Sequence, residues 1–165
     1  MSEYIRTTRE CSASQLHPEL RRAVQTYFQE QGLGDVQTES LLCCETISRK
    51  KRPVSWLSSK PDTTIYTGML LTSQRLIWVH YGDQSGILVN AAKLDRIGTQ
   101  IHTSLFTKDV GLEIIGYIGD SNARVRGYIG MGPDLAAQKF CEEVRQAIIK
   151  ANPPSPKNQF KWPGG

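Results

Sequence analysis

The sequence predicts an α+β fold in which seven antiparallel strands form a barrel or sandwich, a C-terminal helix caps it, and a further helix precedes the strands. Three observations predict it. Between residues 41 and 129, seven short runs read as strands and are separated mostly by turn-length connections. Two stretches, 18–31 and 134–151, instead carry apolar residues at helical spacing. The 165 residues suit one domain whose core is large enough to fold alone. On this basis residues 1–38 read as an N-terminal extension with one amphipathic helix, 39–151 as the domain, and 152–165 as a flexible Pro/Lys/Gly-containing tail.

The first helix follows from PELRRAVQTYFQEQ at 18–31. Pro18 suits a first helical position, Leu20, Val24, Tyr27 and Phe28 share one face, and Gly32 and Gly34 end the pattern. Such a face predicts a helix that covers a core. The strand-like runs are 41–48, 64–71, 75–81, 86–90, 97–104, 110–118 and 124–129. Thr72, Ser73 and Gln74 separate one pair and residues 82–85 another, lengths that fit hairpins. GYIG occurs at 116–119 and again at 127–130 around the turn signal Asp120, Ser121, Asn122, which predicts a last hairpin whose glycines mark bulges or close backbone approach.

The final helix begins near Pro133 and Asp134. It carries Ala137, Phe140, Cys141, Val144 and Ile148 as a packing stripe and stops before Pro153 and Pro154. Cys43 and Cys44, being adjacent, point to opposite faces of a strand. With Cys11 and Cys141 they follow no disulfide or zinc spacing, which favours a reducing setting.

The run from Tyr66 to Tyr81, YTGMLLTSQRLIWVHY, carries a more specific signal. A strand ending in Leu71 and Thr72 leads through a short polar turn to Arg75, Leu76, Ile77 and Trp78. This resembles the central hairpin of the bacterial PH-like and GRAM or GLUE branches of the pleckstrin-homology-like superfamily. ILVNAAKLDRI at 87–97 is similar to the family's next strand and turn. The resemblance spans 39–151 and implies a seven-stranded barrel with its open end plugged by the C-terminal helix. It also implies a binding module, engaging either lipid or protein.

Function points to RKKRPVSWLSSK at 49–60, between the first two of those strands. It holds five cations and no acid; the rest of the chain sums to −1, so this segment accounts for the whole formal +4. Arg49, Lys50, Lys51, Arg52 and Lys60 are the candidate anion- or lipid-binding residues, and Trp56 with Leu57 the candidates for membrane insertion. In phosphoinositide-binding PH domains the corresponding loop holds the cationic headgroup site. Here the cations are mostly consecutive and the following run, 64–71, has none, which argues for diffuse attraction over stereospecific headgroup reading. Near an anionic bilayer each cation contributes about 1 kcal/mol and the Trp56–Leu57 pair roughly 2 to 4 kcal/mol, enough for a reversible anchor.

Other chemistry is poorly represented. His17, His80 and His102 are scattered, with no HExxH and no Cys/His ligand spacing, so no metal, cofactor or enzymatic role is expected. The segment GDQSG at 82–86 links strand to strand and is not a nucleophile elbow. Nucleic acid is disfavoured, because no recognised binding motif accompanies the basic run. The first thirty residues show no signal-peptide core and no run suits a membrane span, so the expected location is cytoplasmic, with peripheral attachment to the inner face of a membrane as an option. The favoured partner is an anionic phospholipid or an acidic protein surface. The alternative is a protein-binding or self-assembling module that forms homo-oligomers, and the least favoured is a small-molecule-binding or enzymatic barrel.

Overall fold

A computed structural model of the chain describes residues 3–51 and 61–154. Its strands are β1 (Tyr4–Glu10), β2 (Leu42–Lys50), β3 (Thr64–Leu71), β4 (Arg75–Gly82), β5 (Gly86–Lys93), β6 (Ile97–Thr103), β7 (Val110–Gly116) and β8 (Val125–Met131). The helices are α1 (Pro18–Gln31), α2 (Val36–Glu39) and α3 (Leu135–Ala151). The strands build a five-stranded sheet of order β1-β2-β3-β4-β5 and a three-stranded sheet β6-β7-β8, antiparallel throughout.

Two expectations are corrected. The described strands number eight and not seven, because Tyr4–Glu10 adds β1 to the edge of β2. Its sequence hides it: Ile5 is 60% exposed, while Arg6 and Thr8 face inward, so no apolar alternation marks the strand. The strands also form two separate sheets, which agrees with the sandwich alternative and corrects the closed barrel. The expected boundary at residue 38 thus falls between two strands of one sheet.

The middle strands β2, β3 and β4 are buried on both faces over much of their length, which explains the continuous apolar texture of β3 and β4. Leu42, Cys44, Met69, Leu71, Leu76 and Trp78 pack with β6–β8 and α3. Cys43, Leu70, Ile77, Val79 and Ala91 pack under Leu20, Val24 and Phe28 of α1. Cys43 and Cys44 therefore do serve opposite faces, and all four cysteines are free thiols. Phe140, Val144 and Ile148 of α3 lie in the core between the sheets. Asn152 closes that helix, donating from Nδ2 to the Leu94 carbonyl at 3.0 Å.

Turn chemistry follows the sequence closely. The Thr72 hydroxyl accepts from the Arg75 amide at 2.9 Å in the β3–β4 turn. Gly116 ends β7 two residues before the expected limit: its φ is 148°, and a Cβ there would meet the Arg96 carbonyl. On the inner face, cross-strand rows change character along the strands. Leu42, Leu71, Leu76 and Cys44, Met69, Trp78 form apolar rows, followed by a polar row of Thr8, Thr46, Thr67 and His80. Thr8 and Thr46 hydroxyls share a hydrogen bond of 2.7 Å, and Thr67 Oγ1 pairs with His80 Nδ1 at 2.9 Å. Beyond that row lies the basic end of β2.

Candidate functional site

Antiparallel pairing fixes where the described cations stand. Arg49 is exposed on the outer face, opposite Ile5 on one side and Thr64 on the other. Lys50 is half-buried on the inner face opposite Tyr4, and exposed Lys51 follows, its amide donating to the Glu3 carbonyl at 2.9 Å. At about 3.3 Å per residue, Lys50 lies roughly 20 Å along β2 from Cys44, whose thiol contacts α3. The cations therefore project from the end remote from the α3 contact.

Two acids near this end are already engaged, while exposed Glu3 stands beside Lys51 and its carboxylate offsets part of the charge. Asp62 is buried and accepts from the amides of Gln84 at 2.6 Å and Ser85 at 3.2 Å. Burial pushes its carboxyl up, but hydrogen bonds from Ser85 and Gln84 hold it below the ordinary aspartate range. The Tyr4 hydroxyl donates to the Asp62 carbonyl at 3.0 Å, and burial, with the negative charges of Asp62 and Glu3, raises its pKa against the opposing pull of Arg6. Asp109 pairs with Arg6 at 3.2 Å. Among the described residues, Arg49, Lys50 and Lys51 make no ion pair.

The Arg6–Asp109 pair brings a second element to this end. Asp109 closes the β6–β7 hairpin, where the Ser104 amide donates to the Asp109 carbonyl at 2.9 Å and Lys108 adopts a left-handed φ of 60°. At its tip Leu105 and Phe106 are 83% and 89% exposed. Two adjacent large apolar side chains held in water, with Lys108 in the same hairpin and the Arg6–Asp109 pair tying that hairpin to the strand beside β2, form an amphiphilic edge.

Of the residues singled out from sequence, Arg49, Lys50 and Lys51 stand at the basic end of β2, Arg49 on the outer face and Lys50 on the inner, whereas Arg52, Trp56, Leu57 and Lys60 lie outside the described residues. Sequence reasoning missed Leu105 and Phe106. The signal was present as an apolar pair inside a polar turn, SLFTKD at 104–109. Among the described residues no helix is long and apolar enough to cross a membrane. Comparison with family models, with curated proteins and with solved structures finds no match for this chain.

Proposed function

We propose that the chain is a non-catalytic binding module of the PH-like class that docks reversibly on an anionic membrane surface through the basic segment 49–60 and the β6–β7 tip. The observation that carries this reading is the exposure of Leu105 and Phe106 on a hairpin that the Arg6–Asp109 pair ties to β1, the strand paired with the end of β2 that carries ion-pair-free Arg49 and Lys50. Cations draw the module to the surface, and the apolar pair enters the headgroup boundary. Burying Leu105 and Phe106 contributes roughly 2 to 4 kcal/mol, and each cation about 1 kcal/mol before salt screening. The PH-like assignment is supported by the arrangement of β2–β5 and β6–β8 as four plus three strands with α3 on the core between them. In that reading β1 and α1 are additions. A ligand cavity between the sheets is disfavoured, since α3 fills that space with Phe140, Val144 and Ile148 and the polar row pairs with itself.

Co-sedimentation with phosphatidylserine-containing and pure phosphatidylcholine vesicles tests the reading. Binding to the anionic vesicles alone is expected, weakened about tenfold or more by Leu105→Ser with Phe106→Ser and by Arg49, Lys50, Lys51 and Arg52 all changed to Ala. Variants that bind like the parent chain would refute it. Protein binding or self-assembly is the second reading, favoured by β6, which among the described residues pairs only with β7 and is exposed or half-buried from Gly98 onward. Concentration-dependent dimer formation in sedimentation equilibrium would support it, and a strict monomer that captures no partner would count against it.

A further inference from the structure

A cavity of about 530 Å3 lies at the other end of the five-stranded sheet, between the last turns of α1, the free edge of β5 and the β7–β8 loop. Arg75, Lys93 and Arg96 line it against a single acid, Asp120. Arg75 and Lys93 are direct Cα partners across β4 and β5. Like charges in that relation destabilise a sheet, so stability alone gives no reason for the pair. The loop is held in place by the Gly119 amide, which donates to the Ala91 carbonyl at 2.7 Å, and by the Tyr117 amide, which donates to the Arg96 carbonyl at 3.2 Å. The Arg96 guanidinium lies 4.3 Å above the Tyr117 ring, which keeps a mobile cation in one position.

Asp120 offsets at most one of the three charges. Among the described residues none of them forms an ion pair. Arg75 is anchored without being satisfied: Nη1 donates to the Tyr27 hydroxyl at 3.5 Å, and Nε is buried with no hydrogen-bond partner. A buried guanidinium donor left unmet is costly, and an oxyanion at the guanidinium's other nitrogens adds charge-assisted hydrogen bonds that offset part of that cost. The C-terminal carbonyls of α1 account for one nearby cation, not for three.

We infer that this cavity binds a phosphorylated small molecule, its phosphate oxygens accepting from Arg75, Lys93 and Arg96. Three converging cations exceed what a single carboxylate needs and suit the multiple charges of a phosphate ester. The volume falls in the range of small-ligand pockets and leaves room beside the phosphate for an organic body. That body belongs either to a soluble metabolite or to a lipid headgroup. The site is separate from the amphiphilic edge, since the seven-residue step from Arg75 to Gly82 spans about 23 Å of β4.

Titration calorimetry on the full chain, with inorganic pyrophosphate and with vesicles containing phosphatidylinositol 4-phosphate, tests the inference. Lys93 and Arg96 are exposed, so Lys93→Ala with Arg96→Ala leaves the core intact, which a melting curve checks. That variant is expected to bind at least one probe about tenfold or more weakly. Arg49→Ala with Lys50→Ala and Lys51→Ala should leave pyrophosphate binding unchanged. Saturable pyrophosphate binding assigns the site to soluble phosphates; vesicle binding that pyrophosphate does not displace, and that Lys93→Ala with Arg96→Ala abolishes, assigns it to a headgroup. Absence of saturable binding to both probes, or equal binding by the Lys93/Arg96 variant, overturns the inference.

Discussion

Arg6 in the edge strand and Asp109 at the base of the β6–β7 hairpin form an ion pair of 3.2 Å whose side chains keep only 23% and 14% of their exposure. The pair joins the first strand of the chain to an element a hundred residues later, and it ties the hairpin that carries Leu105 and Phe106 to the strand paired with β2. Arg6 also fills the space above Gly130, where a Cβ would come within 3.0 Å of its Nε. A double-mutant cycle with Arg6→Ala and Asp109→Ala, read by denaturant unfolding, should give a coupling of about 1 to 2 kcal/mol, above the surface-pair range because both groups are largely desolvated. Purely additive losses would show that the contact does not hold the hairpin.

The helix α1 is part of the core and not an appendage. Leu20 and Phe28 are fully buried against Leu70, Ile77 and Val79. Leu20→Ala should cost about 2 to 5 kcal/mol and Phe28→Ala about 3 to 5 kcal/mol in urea unfolding, because each leaves a cavity over the sheet. Losses below 1 kcal/mol would mean that the sheet's outer face tolerates exposure.

Thiol reactivity should separate the four cysteines. Cys11 is half-buried, and its hydrogen bond with Cys43 at 3.9 Å lowers its pKa, with Arg9 assisting. Burial raises the Cys44 and Cys141 thiols to about 12, and the bond with Cys11 together with burial pushes Cys43 upward. Timed alkylation with iodoacetamide at neutral pH, followed by peptide mass spectrometry, should label Cys11 first. Labelling of Cys141 at the same rate would contradict the packing.

Stability should weaken in mild acid because of His80. Burial lowers its folded pKa below the unfolded value of about 6.5, so the unfolded chain takes up the proton first. Its contribution is complete above that value and is lost as the pH falls below it, toward the folded pKa. Carboxylates with lowered pKa values, such as Glu113, held down by hydrogen bonding to His102 and by Arg126, lose their share only below about pH 4.5. Melting temperatures between about pH 7 and pH 5 should therefore fall for the parent chain and less steeply for His80→Gln; parallel profiles would exclude His80 as the cause.

The elements most legible in the sequence are those whose side chains repeat with a single period. Proline, an apolar face and closing glycines define α1 at 18–31, and the same bounds are found in the structure. The hairpins around 72–74 and 82–85 were legible because short polar turns join residues that must then pair. Strand β1 was not: it offers one exposed isoleucine, and its partners Thr46, Asp109 and Asp134 are far away in the chain. The basic segment 49–60 was conspicuous because four of its five cations are contiguous, whereas Leu105 and Phe106 acquired meaning only when Arg6 and Asp109 tied their hairpin to the strand beside β2.

Local composition was enough to establish the α+β class, the order of most elements and one site of concentrated charge. Such features depend on neighbours within a few turns of the chain, and side-chain sterics and periodicity record them directly. Which surfaces meet is a different kind of fact. Arg75, Lys93 and Arg96 stand among acids in a nearly neutral stretch, and only strand register and a docked loop bring them around one cavity. Charge clusters of that sort are created by long-range packing, which no window along the sequence contains.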